Sequence, residues 1–196
     1  MKTSRSVARA LVLAVLLAVT CGVGLRAESR SIDTERSQLT VYVYKSGVFS
    51  AFADNHVIRA PIAVGSLANE PPLSVSLTVH AAELRVLDPN LAPARRAEVQ
   101  ARMVGPEVLD ASRYPEIEFA STAVEAREAG ELRITGRLTL HGQTRPVVVV
   151  VAARDGVYRG SVMIKQRDFG IQPVAVAGGA VKVKDELKIE FAIVPR

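Results

Sequence analysis

The chain is poor in the residues that build disulfides and metal sites. It has one cysteine, Cys21, and three histidines, His56, His80 and His141, in 196 residues. Metal sites need several His, Cys or carboxylate side chains that converge, and no two of these histidines have ligand spacing. Asp54 and His56 are the nearest candidates, because they are two apart on a predicted strand, but a hydrogen-bonded loop histidine is the simpler interpretation. We predict no metal site.

Motifs for covalent catalysis are absent too. No Gly-x-Ser-x-Gly sequence occurs, and isolated serines carry little information about nucleophilic catalysis. Asp168-Phe169-Gly170 matches the metal-binding tripeptide of protein kinases, but no glycine-rich phosphate loop or catalytic loop accompanies it, so it indicates a turn. We therefore predict no catalytic residue and no cofactor.

Long apolar runs occur only at the N-terminus, where residues 1–27 have the pattern of a secretory signal peptide. Three basic side chains come first: Lys2, Arg5 and Arg9. The apolar run at 10–19 is too short for a membrane helix, which needs roughly 20 residues. We predict cleavage after Ala27 and a periplasmic location. An uncleaved anchor and a lipidated Cys21 are the alternatives.

The rest of the chain has nearly equal numbers of basic and acidic side chains. The full sequence has 25 Lys+Arg and 20 Asp+Glu, and residues 1–27 hold four of the basic and none of the acidic side chains, which leaves 21 against 20. Nucleic-acid binding requires a clustered basic face, so we predict no nucleic-acid partner. Residues 28–196 have the length of one domain.

Most of this domain alternates apolar and polar residues at period two, which predicts half-buried strands. The strands are predicted at 39–44, 56–62, 74–79, 117–126, 132–140, 147–153, 157–165, 181–184 and 187–193. Residues 92–103 instead predict one amphipathic helix, on the sheet or over its mouth, with Val99 and Met103 on one face. The pattern indicates an antiparallel barrel or sandwich.

One predicted hairpin lacks the alternation. Leu138 and Leu140 alternate with polar residues, a turn is predicted at 141–146, and the five valines 147–151 then follow without a polar residue. Such a strand needs both faces kept from water, and we expect the helix or a second copy of the chain to cover its outer face. Its inner face belongs to an interior that is either solid or hollow.

Four segments carry a resemblance to a known family. They are Tyr114-Pro115-Glu116-Ile117-Glu118-Phe119, the stretch Leu138 to Pro146, Asp168-Phe169-Gly170-Ile171, and Val181-Lys182-Val183-Lys184-Asp185-Glu186. In this order they resemble the YceI-like family, over about residues 31–193. The resemblance implies an eight-stranded antiparallel lipocalin-like barrel, exported to the periplasm, with an apolar tunnel that holds long-chain amphiphiles such as polyisoprenoids or a quinone tail.

The first hairpin departs from the commonest family pattern. Residues 44–61 resemble a subgroup with Phe-Ser-Ala-Phe-Ala followed by a polar pair and a histidine. Asn55 stands where that subgroup often has a second histidine, which further weakens a metal site near His56. The departure leaves the fold unaffected and the identity of the ligand open.

We predict from this resemblance a non-enzymatic binding protein for a long-chain lipid or isoprenoid. The predicted ligand-binding residues are Tyr42, Phe49, Phe52, Leu77, Phe119, Leu138, Leu140, His141, Arg167 and Phe169, with His141, Arg167 and also Arg145 as polar candidates for the headgroup. The alternatives are a solid-cored barrel that acts as a partner-binding or stress-related scaffold, and a lipid-modifying enzyme. A second copy of the chain and a membrane surface are the further candidate partners.

Overall fold

A computed structural model describes residues 29–46, 55–176 and 181–196. Its elements are β1 (Ser29–Ser31), β2 (Gln38–Ser46), β3 (His56–Arg59), β4 (Ile62–Ala68), β5 (Ser74–His80), β6 (Arg85–Val86), α1 (Pro93–Val104), β7 (Glu116–Ala126), β8 (Glu131–Leu140), β9 (Gln143–Arg154), β10 (Val157–Lys165), β11 (Ala175–Val176) and β12 (Val181–Ile193). Short 3-10 helices lie at Ala81–Glu83, Glu128–Gly130 and Gln166–Phe169. The predicted signal peptide at 1–27 lies outside the described residues.

The twelve strands of the described residues belong to one antiparallel sheet that curls into a barrel. Its order is β1-β4-β5-β7-β8-β9-β10-β12-β2-β3-β6, with β11 paired to β12. Only Ala60 and Pro61 separate β3 from β4, so this bent segment pairs with β2 through β3 and with β5 through β4. Apart from β1, β6 and β11, the strands therefore form eight spans around the barrel. The predicted all-β class with one helix is confirmed.

Helix α1 begins at Pro93, whose missing N–H costs nothing in a first turn, and ends before Gly105. The Gln100 side chain ties it to the segment around β6. Its amide oxygen accepts from the N–H of Val86 at 2.9 Å, and its amide nitrogen donates to the carbonyl of Leu84 at 2.8 Å. These bonds hold α1 across one end of the barrel, where Val99 and Met103 line the interior.

Strand β9, which contains the five valines 147–151, is shielded from water on its inner face only. Val147, Val149 and Val151 line the interior, whereas the side chains of Val148 and Val150 are 43% and 48% exposed on the outer face. The expectation that α1 covers this outer face is wrong, because the helix is bonded to the segment around β6 at the barrel end.

The hairpin turn between β8 and β9 is shorter than the predicted 141–146. It consists of His141 and Gly142 alone, with φ values of 51° and 70°, which are the left-handed values of a type I′ turn. Strand β9 then begins at Gln143, and Pro146 already lies opposite Arg137 in the ladder. The prediction was too long because residues 143–146, which are polar residues and a proline, were assigned to the turn, whereas they pair with β8.

The predicted strands at 181–184 and 187–193 are one strand, β12, with a register irregularity between Val183 and Leu187. Among the described residues, no helix is long and apolar enough to cross a membrane.

Candidate functional site

The barrel encloses a cavity of about 960 Å³. This volume lies at the upper end of the range for small-molecule sites, roughly 300–1,000 Å³. Inward-facing residues of the strands form its walls, and α1 contributes residues at one end. Many of the wall residues are only half-buried, because their side chains face the cavity instead of close-packed neighbours.

Period-two alternation makes the walls apolar, since every second residue of a strand points to the same side of the sheet. The main inward series are Leu39, Val41 and Val43 on β2, Ile134, Leu138 and Leu140 on β8, Val147, Val149 and Val151 on β9, and Leu187, Ile189 and Phe191 on β12. A wall of this composition makes few hydrogen bonds with a guest and takes hydrocarbon from water through the hydrophobic effect.

Two glycines make room for aromatic rings in the wall. A Cβ on Gly136 would meet the ring of Phe119 at 2.5 Å, and a Cβ on Gly160 would meet the ring of Phe191 at 2.7 Å. Each ring therefore lies against bare backbone of the neighbouring strand. The wall stays smooth at these two places, and a side chain on either glycine would displace the ring.

Among the described residues, the charged side chains that line the cavity all lie at the end that carries α1. We call this end the charged mouth, and its members are Lys45, His56, Arg95, Glu98, Arg102 and Lys182. The ladder brings them together, because Lys182 lies opposite Ser46 and His56 lies opposite Val43. Arg95 pairs with Glu98, and Arg102 pairs with Glu107 at 3.1 Å. The opposite end is lined by neutral residues, among them Asn69 and Ser74.

His56 is fixed at the mouth by a buried carboxylate. Its Nδ1 lies 2.6 Å from Oδ2 of Asp88, whose side chain is 5% exposed. The second oxygen, Oδ1, accepts from the N–H of Val57 at 2.8 Å. Asp88 is thus fully engaged and holds the imidazole in one orientation.

The structure brings together four of the predicted ligand-binding residues. Leu77, Phe119, Leu138 and Leu140 all line the cavity. Leu77 lies opposite Phe119 in the ladder, and Phe119 lies opposite Leu138, so three of them form one continuous strip across β5, β7 and β8. Phe49 and Phe52 lie outside the described residues.

Tyr42 does not line the cavity, because β2 presents its other face inward, with Val41 and Val43. The Tyr42 hydroxyl donates to Glu190, and this hydrogen bond raises the pKa of Tyr42. Lys188, 2.6 Å from Glu190, lowers the pKa of that carboxyl by hydrogen bonding, and its own pKa is raised by the same contact. Periodicity assigned two faces to β2 and the prediction chose the outer one.

Phe169, His141 and Arg167 also lie away from the cavity lining. Phe169 is 1% exposed and packs within the buried core. His141 occupies the β8–β9 turn, with Nδ1 3.2 Å from the carbonyl of Phe169 and its ring 4.6 Å from that of Tyr114. Arg167 is exposed in the 3-10 helix after β10. The prediction placed strand-end polar residues at the mouth, but the mouth is formed around α1.

Arg145, the third polar candidate for the headgroup, is absent from the cavity lining and hydrogen-bonds to Thr144 and Gln143. The sequence-based prediction missed the true members of the mouth. His56 was predicted to be a hydrogen-bonded histidine rather than a metal ligand with Asp54, and its contact with Asp88 agrees with this, but it was not predicted to line the site. Asp54 lies outside the described residues. The partner of His56, Asp88, is 32 residues away, so no local spacing marks the pair. In the described part of the chain, no group of three His, Cys, Asp or Glu side chains has the arrangement of a metal site.

Comparison with known proteins agrees with this architecture. A UPF0312 protein of Vibrio cholerae is 32% identical over 137 residues, which cover 64% of this chain and 68% of the relative. A UPF0312 protein of Shewanella putrefaciens is 29% identical over 181 residues, covering 80% and 87%.

Two solved structures share the fold. BcnA of Burkholderia cenocepacia matches with a TM-score of 0.66 and 20% identity, over 83% of this chain and 98% of BcnA. A polyisoprenoid-binding domain from Saccharophagus degradans, implicated in plant cell wall breakdown, matches with a TM-score of 0.57 and 12% identity, over 86% and 97%. The family model for the YceI-like domain matches residues 31–194. The chain therefore belongs to the YceI-like family.

Proposed function

We propose that this chain is a non-enzymatic binding protein that holds a long-chain amphiphile of polyisoprenoid, quinone or fatty-acyl type, for transport, storage or sequestration. The observation that carries the proposal is the cavity of about 960 Å³, whose walls along the barrel are apolar and whose charged lining residues, in the part of the chain that the structure describes, lie at one end. An amphiphile has the same division between an apolar chain and a polar head. The Saccharophagus degradans neighbour, a polyisoprenoid-binding domain, supports this ligand class.

The hydrophobic effect alone supplies enough free energy for such binding. Each buried methylene contributes about 0.8 kcal/mol, so a chain of about ten carbons contributes about 8 kcal/mol before the cost of association. Longer isoprenoid chains add to this sum until the tunnel is full. After an association cost of about 4 kcal/mol, a chain of about fifteen carbons therefore reaches micromolar affinity with no specific polar contact along the walls.

Two alternatives are less well supported. A solid-cored scaffold has an interior filled by side chains, unlike the interior of this barrel. A lipid-modifying enzyme needs an activated nucleophile or an acid/base pair near the guest. His56 is the histidine that lines the cavity, and within the described ranges no serine or threonine hydroxyl is hydrogen-bonded to it.

Export to the periplasm is part of the proposal and rests on the signal-peptide pattern of residues 1–27. Fractionation of cells that express the full chain, with N-terminal sequencing of the product, tests it. A product that begins near Glu28 in the periplasmic fraction supports export, and a full-length product in the cytoplasm contradicts it.

The exposed side chains on the outer face of β9 and β10 form a surface for peripheral membrane contact. Val148, Val150 and Met163 are exposed there, and Arg133 lies directly opposite Val150 in the ladder. Three more cations lie on the two strands that flank β9: Arg137 on β8, and Arg159 and Lys165 on β10. Apolar side chains among cations suit an anionic lipid surface.

Co-sedimentation with vesicles that contain anionic or only zwitterionic lipid tests this contact. We expect binding to the anionic vesicles, weakened by salt and by the double change Val148→Ser and Val150→Ser. If the protein is instead a dimer in solution, and the same double change makes it monomeric, the surface binds a second copy of the chain.

A chain-length series tests the binding function itself. Saturated acyl probes that differ by two carbons are titrated against residues 28–196 by calorimetry. We expect the dissociation constant to fall about fourfold per added methylene until the cavity is filled, and then to level off. Affinities that do not depend on chain length, or no binding by any probe, would contradict the proposal.

A further inference from the structure

A buried carboxylate fixes one side of the His56 ring at the α1 end of the cavity. Nδ1 of His56 lies 2.6 Å from Oδ2 of Asp88, and the other oxygen of Asp88 accepts from the N–H of Val57 at 2.8 Å. A carboxylate only accepts hydrogen bonds, so the single ring hydrogen of the neutral imidazole is on Nδ1. Nε2 of that ring carries a lone pair and accepts a hydrogen bond.

Nε2 is accessible to a guest in the cavity. His56 lies opposite Val43 in the ladder, on the same side of the sheet, and both residues line the cavity. In the described part of the chain, Nε2 has no hydrogen-bond partner, whereas every fully buried side-chain nitrogen or oxygen there has one. Nε2 is therefore not enclosed by protein atoms but reaches open space.

A second side chain at this end also offers an acceptor. The amide nitrogen of Gln166 donates to the carbonyl of Lys184 at 2.8 Å, which leaves the amide oxygen on its other side. Gln166 is 5% exposed and lines the cavity, and among the described residues its amide oxygen has no partner. Lys184 follows Val183, which lies opposite Lys45 of the charged mouth. The unpartnered side-chain atoms of His56 and Gln166 at this end are thus both acceptors.

The charges around His56 do not favour an anionic head. Arg95 and Arg102 each pair with a glutamate, and Lys45 makes a further interaction of its own. Asp88 adds a negative charge beside the ring. An anionic oxygen at Nε2 would meet both a lone pair and the field of Asp88, and both are repulsive. A hydroxyl instead donates its hydrogen to Nε2, which the carboxylate at Nδ1 makes a stronger acceptor.

We propose that the natural ligand ends in a neutral hydroxyl group that donates a hydrogen bond to Nε2 of His56, with Asp88 as the positioning residue that keeps Nε2 an acceptor. This inference rests on the proposed binding function and adds the chemical class of the head: a long-chain or isoprenoid alcohol instead of a carboxylate or a phosphate. The hydroxyl lies at the α1 end, and the chain runs along the apolar barrel.

Two isomeric probes test the donated hydrogen bond. 1-Hexadecanol and 1-methoxypentadecane contain the same atoms, but only the alcohol donates a hydrogen bond. Their affinities are measured by displacement of a dansyl-labelled fatty acid. We expect the ratio of alcohol affinity to ether affinity to be about fivefold higher in the wild type than in His56→Leu, as one neutral hydrogen bond implies. Hexadecanoate is expected to bind the wild type no more tightly than the alcohol.

Asp88→Asn tests the positioning role through the tautomer of His56. When the new amide oxygen keeps the contact to Val57, the amide nitrogen, which is a donor, lies against Nδ1. The ring hydrogen then moves to Nε2, which donates equally to the alcohol and the ether oxygen. We expect the affinity ratio to fall as it does in His56→Leu. Histidine ¹⁵N spectra are expected to show Nε2 without a hydrogen in the wild type and with one in Asp88→Asn.

His80→Gln is the matched control, because His80 does not line the cavity and lies opposite Glu116 in the ladder. It is expected to leave both the affinity ratio and the ¹⁵N signals of His56 unchanged. A thermal melt of each variant shows that it is folded. If His56→Leu does not fold, the ratio in Asp88→Asn and the wild-type ¹⁵N spectrum decide the question.

The outcomes separate this inference from the binding function. Three results would each overturn the hydroxyl assignment and leave the binding function standing: an affinity ratio that is equal in the wild type and the folded variants, a hydrogen on Nε2 of the wild type, or hexadecanoate bound more tightly than the alcohol. Failure of the alcohol, the ether and hexadecanoate to bind would refute the binding function itself.

Discussion

Replacement of Leu138 by tryptophan distinguishes a hollow barrel from a solid one. Leu138 lines the cavity on β8 and is only half-buried, so a larger side chain extends into the cavity without displacing its neighbours. In a close-packed interior the same enlargement costs about 1–3 kcal/mol of unfolding free energy. We expect the free energy of unfolding of Leu138→Trp to lie within about 0.5 kcal/mol of the wild-type value or to exceed it.

The same substitution reduces the room for a ligand. The indole takes the place of roughly three methylene groups of a bound chain, at about 0.8 kcal/mol each. The loss of about 2.4 kcal/mol raises the dissociation constant of a cavity-filling chain about 60-fold. Short chains, which leave part of the cavity unused, are expected to be affected less.

The chain has no tryptophan, so the introduced indole is the only one and its fluorescence reports on the cavity directly. We expect blue-shifted emission that changes when a chain-bearing ligand is added. Val148→Trp is the matched control, because Val148 is 43% exposed on the outer face of the neighbouring strand. Its emission is expected to resemble that of indole in water and to be insensitive to ligand. Destabilisation of Leu138→Trp by more than about 1 kcal/mol, with unchanged ligand affinity, would refute a hollow interior.

Three further predictions follow from individual contacts. Gly160→Ala is expected to lower the free energy of unfolding by about 1–3 kcal/mol in a denaturant titration, because its Cβ would meet the Phe191 ring and a backbone oxygen, both at 2.7 Å; an unchanged midpoint would contradict the close approach. Phe169→Ala is expected to cost about 3–5 kcal/mol of stability but to leave the ligand affinity of the folded protein unchanged, since Phe169 is buried in the core and does not line the cavity; a lost affinity would place it in the site. Lys188→Met is expected to raise the pKa of Glu190, which Lys188 lowers in the wild type; because the folded-state pKa is lowered, the stabilisation by this carboxylate is present above its usual pKa and is lost as the pH falls through the folded value, and an NMR titration that shows no shift would contradict the contact.

Period-two alternation was sufficient to predict most strands and the single helix, because both depend on local patterns. The helix predicted at 92–103 is observed at Pro93–Val104. The local pattern does not predict which face of a strand points into the barrel. On β2 both faces carry large side chains, the valines inward and the tyrosines outward, and nothing in the strand itself states which set the barrel encloses.

The polar end of the site depends on contacts between distant parts of the chain. Asp88 follows β6 and reaches His56 only because β6 pairs with β3. The prediction that both faces of β9 are covered failed although its pattern is local. The outer face of β9 is apolar in sequence but exposed in the fold, with Val150 48% exposed. A rule that assigns every apolar residue to dry surroundings fails because folded proteins also leave apolar side chains on their surfaces.

The most direct test of the central claim is to identify what the barrel holds when it is isolated from cells. The protein is purified without detergent, extracted with organic solvent and examined by mass spectrometry, with the Leu138→Trp variant prepared in parallel. We predict a stoichiometric amphiphile with a long hydrocarbon or isoprenoid chain in the wild-type extract and much less of it in the variant. A wild-type extract without lipid, from a protein that also fails to bind acyl and isoprenoid probes, would contradict the claim that this barrel is a carrier.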